Sequence, residues 1–119
     1  MTNCKRGDVV LVLFPNSDLR TFKKRPALVV QADNLQTGIP QLIVALITSN
    51  PARSGHSSRV SVQIASSEGS ISGLRTDSVI VTDNLATVRE QFIDRILGSY
   101  PDMPQIETAL AHTFGLRLA

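Results

Sequence analysis

Tryptophan is absent from the 119 residues, tyrosine occurs once and phenylalanine four times, so platforms for stacking a planar ligand are scarce. A single cysteine, Cys4, excludes an internal disulfide and suits a reducing cytoplasm. No apolar run approaches the roughly 20 residues that cross a bilayer, so no membrane association is expected. The opening "MTNCKRGDVV" carries basic residues but no long apolar stretch ending at a small-residue cleavage site, and is not a secretory signal. Cys/His ligand sets, glycine-rich phosphate loops and nucleophile elbows are also missing, so neither a metal nor a cofactor is expected. Neither sign of charge dominates: 12 basic and 10 acidic residues leave +2, too mild a bias to declare a nucleic-acid binder.

What is present is a core. At 42% hydrophobic, the chain can fold without staples, and no repeat or composition break divides it, so residues 1–119 read as one domain. "DVVLVLF" (Asp8 to Phe14) is a nearly continuous apolar run rich in β-branched residues, the pattern of a short buried strand. "PNSDLRTFKK" reads as a loop, and a second strand begins at Arg25, with Pro26 near its first position. "QLIVALITSN" (Gln41 to Asn50) is expected to be the third and longest strand, followed by a flexible "PARSGHSS" loop. "RVSVQIA" alternates and so has one wet face, while "SSEGSISG" reads as loop with Gly73 at a sharp turn. Ser78 to Thr82 makes a strand, a short extended piece runs to Val88, "REQF" can form a helical turn, and "RILGSY" is a last strand.

The terminal helix is marked by Asp102 as N-cap, Pro104 in the first turn, Gln105 three residues past the cap, and Gly115 as stop. Ile106, Ala109, Leu110, Thr113 and Phe114 are expected to share its apolar face, with His112 opposite. Short strands, turn signals and one terminal helix predict a mainly β fold, a small SH3-like barrel with a C-terminal α-helix.

Chemistry must then come from polar groups at strand ends. Lys23, Lys24, Arg25, Arg53, Arg59 and Arg75 lie near loop signals or strand ends, where a fold could gather several of them or leave them as solvated surface. If the second and third strands pair antiparallel, Arg25 entering one and Thr48 leaving the other face the same end of the sheet. Arg25 could equally cap a strand and Thr48 bond locally. "RTD" (Arg75, Thr76, Asp77) enters the fifth strand, and His56 sits in a loop with little claim on a substrate.

Four segments, "KRGDVVLVLFP", "KKRPALVV", "ALITSN" and "SGLRTDSVIVTDNLATV", resemble in order and spacing the MazF/PemK (Kid-like) toxins of type II toxin–antitoxin modules. The resemblance implies a homodimer, metal-independent endoribonuclease activity on single-stranded RNA (an mRNA interferase), and silencing by a cognate antitoxin whose extended tail occupies the RNA groove. By match to the family's motifs, Arg25 and Thr48 are the expected catalytic pair, joined by Arg75 and Asp77 as in the PemK/Kid branch. Some members carry a catalytic histidine or glutamate in the first loop, where this chain offers only Asp18; either Asp18 substitutes or the base lies elsewhere. Lys23, Lys24 and Arg53 would attract the RNA backbone, and Ser17, Ser49 and Asn50 would read bases by hydrogen bonding, given the few aromatics. Competing readings are a non-catalytic toxin like the CcdB family, which binds DNA gyrase, and a barrel that only binds an antitoxin-like peptide.

Overall fold

The computed structural model describes residues 4–117. Its strands are β1 (Asp8–Pro15), β2 (Phe22–Val29), β3 (Gln41–Thr48), β4 (Arg59–Val62), β5 (Ser78–Arg89) and β6 (Ile93–Ser99). They form one antiparallel sheet in the order β4–β5–β3–β2–β1–β6, with helix α2 (Met103–Phe114) at the end of the chain. The mainly β fold with a terminal helix is as expected, but the sheet is bent rather than closed, and β4 and β6 remain its edges.

The apolar run of β1 is continuous because both of its faces are covered. Val9 joins Leu28, Ala45, Ile47, Ile80 and Ile106 in a core under α2, while Val10, Val12 and Phe14 join Ala27, Val29, Val44 and Val88 on the other face. Partly buried Cys4 packs against this second cluster. Burial at about 25 cal/mol per Å2 of apolar surface makes these two layers the chief source of stability.

Where the sequence reading predicts a loop at "SSEGSISG", the structure has a short helix, α1 (Ser67–Ser72). Ser66 caps it by accepting from the Gly69 N–H, and Gly73 ends it at φ +73°. Serine and glycine are poor helix formers, so propensity hides this element. Tertiary contact supports it: a Cβ on Gly98 of β6 would run into the carbonyl of Ile71, and one on Gly73 into that of Leu97. Thus α1, which follows β4, lies against β6 and bridges the two open edges of the sheet.

Three further differences concern two strands and a loop. The longest is β5, with 12 residues against 8 in β3, because both predicted pieces pair with β3 around an irregularity at residues 82–84. β2 starts at Phe22 rather than Arg25, which leaves Pro26 inside the strand opposite Leu11. The predicted "PARSGHSS" loop contains a 3-10 turn at Pro51–Arg53.

On α2 the Asp102 cap and the Gly115 stop form as expected, and Ile106 and Ala109 are buried. Phe114, however, is 58% exposed and Ala111 is buried in its stead. Thr113 fixes the rotation: its Oγ1 lies 2.9 Å from Thr82 Oγ1, so the residue after it turns away from the sheet. Among the described residues no helix is long and apolar enough to span a membrane.

Candidate active site

Pro26 explains why there is a groove. The Val30 N–H donates to Ile43 of β3, so by strand alternation Leu28 and residue 26 face β3 with the same edge. Proline has no N–H to offer there. The β2–β3 ladder accordingly runs only from Val29–Val44 to Ala27–Leu46, and the strands part beyond it. Continuing that register by two residues would set Arg25 opposite Thr48.

Both line the hollow that opens there, about 500 Å3 in volume, together with Lys23, Lys24, Ser49, Arg75 and, from β6, Arg95. Five cationic residues therefore border one groove, and none of its lining residues is a carboxylate. Asp94 stands beside two of them, 3.7 Å from Lys24 and 4.0 Å from Arg95. Another hollow, about 650 Å3, lies at the other end of β3 around Gln41 and Arg89, away from this charge.

Arg25 is half-buried, and its Nη2 donates to Asn16 Oδ1 at 3.1 Å. Thr48 Oγ1 accepts from the Asn50 N–H at 3.2 Å, and in that role the hydroxyl keeps its own hydrogen to donate. Asp77 borders an adjoining cleft of about 600 Å3, which shares Ser49, Thr76 and Ser78 with the groove. Its Oδ1 accepts from the Ile64 N–H at 2.8 Å, tying the segment before β5 to the exit of β4.

Asp18 is spent on its own loop. It accepts from the Arg20 and Thr21 N–H groups and from the Thr21 hydroxyl. These bonds, led by that from Arg20, hold its carboxyl below the usual carboxylate range, which makes it a poor base.

Other expected binding residues lie elsewhere. Ser17, Asn50 and Arg53 do not line the groove. Asn50 Oδ1 caps the 3-10 turn through the Ala52 N–H, and the Arg53 carbonyl accepts from Arg59 Nη1. Arg59 itself is bound to Asp83 by two hydrogen bonds. His56 Nδ1 accepts from the Ser58 N–H, and its ring packs edge-on against exposed His112 at 5.8 Å. Sequence reasoning missed two residues: Arg95, whose register opposite Leu11 brings it to the groove, and Asn16, which reads there only as turn chemistry.

Residues 5–114 match the family model of the PemK-like, MazF-like toxins of type II toxin–antitoxin systems. The chain belongs to that family. Among solved structures it is similar to an endoribonuclease from a mycobacterial species (22% identity, TM-score 0.72, covering 100% of this chain and 98% of that one). A second such endoribonuclease, in complex with its cognate antitoxin, matches at 22% identity and TM-score 0.73, covering 98% of this chain and 99% of that one. MazF from Deinococcus radiodurans matches at 17% identity and TM-score 0.72, covering 98% of this chain and all of that one. At such identities the likeness to solved structures establishes the fold. No curated protein matches the chain.

Proposed function

We propose that this PemK-like, MazF-like toxin, as one domain over residues 1–119, is a metal-independent endoribonuclease. It would cut single-stranded mRNA by attack of the substrate's own 2′-hydroxyl on the adjacent phosphorus. The 2′-oxygen forms a bond to phosphorus and the bond to the 5′-oxygen breaks, leaving a cyclic phosphate and a 5′-hydroxyl. The protein must accept the 2′-hydroxyl proton, stabilise charge on the phosphoryl oxygens and see the leaving oxygen protonated. The observation that carries this reading is one groove bordered by both Arg25 and Thr48 and by four further cations.

Arg25 supplies the charge stabilisation. Its planar fork can give parallel hydrogen bonds to two phosphoryl oxygens, and a guanidinium holds its protons too tightly to be a good proton donor. Thr48 adds its hydroxyl hydrogen, and Arg75 a second guanidinium. Asp77 is the one carboxylate among the residues bordering the groove and its adjoining cleft, and with Asp18 consumed by its loop it is the candidate base. Lys23, Lys24 and Arg95 would meet flanking phosphates, and Ser49 a base edge. A groove so rich in ammonium and guanidinium groups repels a divalent cation, which supports metal independence.

The same groove would take the extended tail of a cognate antitoxin, consistent with the antitoxin complexes of similar proteins. A cytoplasmic homodimer is the expected form, and light scattering showing only the 12.9 kDa species would remove the dimer.

The test is cleavage of a long unstructured RNA with a chelator present. Wild type should cut it, and should spare the same sequence made as DNA. R25A should be slower by about a hundredfold or more, the usual cost of one well-aimed donor. Intact RNA with wild-type protein, or full activity in R25A, rejects the reading.

A further inference from the structure

We propose that Asn16 is a positioning residue for the Arg25 guanidinium, and that the β1–β2 loop is built to hold it. This rests on the endoribonuclease reading of Arg25. The side-chain amide of Asn16 is pinned at both ends: Oδ1 accepts from Arg25 Nη2 at 3.1 Å, and Nδ2 donates to Thr21 Oγ1 at 2.8 Å. Thr21 Oγ1 in turn donates to Asp18 Oδ2 at 2.9 Å, and Asp18 is itself fixed by the Arg20 and Thr21 N–H groups. The backbone of Asn16 is held as well. Its N–H donates to the Thr21 carbonyl and its carbonyl accepts from the Leu19 N–H, each at 2.9 Å.

The loop bears strain to keep this shape. Leu19 has φ +60°, the one non-glycine residue at positive φ among those described, and it is 80% exposed, so no core packing imposes the conformation. Such outliers persist where the surrounding bonds over-determine them. Here those bonds lead, link by link, to Arg25.

The chemistry of the acceptor matters. A neutral amide orients a guanidinium without cancelling its charge, and it occupies one of five N–H donors. The others are left for a phosphate. A guanidinium without this tether would sample several rotamers, and a misplacement of about 1 Å can cost on the order of a hundredfold in rate.

The experiment is a double-mutant cycle in N16A and R25K, with kcat and KM measured on a single-site RNA oligonucleotide. N16A should lower kcat by about 10- to 100-fold, with KM changed less than about twofold. In an R25K background, N16A should add almost nothing, because the geometry it protects is already lost. Wild-type kcat in N16A, or N16A and R25K losses that multiply in the double mutant, overturns the inference. Should N16A not fold, T21V removes the hydroxyl that steadies Asn16 and should lower kcat several-fold in the same manner; unchanged kcat there also overturns it. Cleavage that survives R25A would instead reject the functional reading itself, so the two failures are distinct.

Discussion

Arg25 and Arg59 are both held by a side-chain oxygen, but one oxygen is neutral and the other charged. Arg59 gives Nε and Nη2 to the two carboxylate oxygens of Asp83, at 3.1 and 2.8 Å, and Nη1 to the Arg53 carbonyl. Three of its donors are used and its charge is balanced. Arg25 gives one Nη2 hydrogen bond to the amide of Asn16 and has no carboxylate among the residues lining its groove. The first arginine fastens β4 to β5 beside the irregularity at residues 82–84. The second is placed without being neutralised. Fixed geometry with charge to spare is what a phosphate site requires, and a count of basic residues cannot tell the two apart.

Exchanging lysine for each arginine is the sharpest way to break that contrast. R25K keeps the charge but loses the planar fork, and kcat should fall by about a hundredfold or more. R59K should leave cleavage at the wild-type rate. Equal loss in both variants would mean that the groove is not the place of reaction.

N16D makes Arg25 resemble Arg59 by placing a carboxylate against its guanidinium. Cleavage should slow by roughly tenfold and RNA affinity should fall with it, because the new partner competes with phosphate. The slope of log affinity against log salt should decrease by about one, as for the loss of one phosphate contact. An unchanged slope would show that Arg25 does not neutralise a phosphate.

The sequence carried the placement of Arg25 and Thr48 at the same end of the sheet, because antiparallel neighbours put the start of one strand beside the end of the next. It also carried the double-sided burial of β1, since only a strand covered on both faces can afford a run like "DVVLVLF". The α1 helix was hidden because its support is a close approach to Gly98, about 30 residues further along the chain. Asn16 was hidden because a turn asparagine looks the same whether or not its amide reaches an arginine. Arg53 and Arg95 were indistinguishable as letters. Register brings Arg95 to the groove, whereas the Asn50 cap draws Arg53 into a 3-10 turn whose carbonyl serves Arg59.

The smallest expected effect concerns the neutralised pair. The hydrogen bond from Arg59 holds the Asp83 carboxyl below the ordinary carboxylate range, against a lesser upward push from burial. A group whose pKa is depressed by folding contributes stability above its unfolded value, near 3.9, and that contribution is lost as pH falls through the folded value. D83N should therefore be less stable than wild type at pH 7, by no more than about 1 kcal/mol, because the carboxylate is a third exposed and water screens the pair. The gap should narrow between pH 7 and an acid pH below the ordinary carboxylate range, as wild-type Asp83 becomes protonated as well. Urea denaturation at the two pH values measures it. A gap of the same size at both would assign the role of Asp83 to packing rather than charge, and Arg59 would then no longer serve as the neutralised counterpart of Arg25.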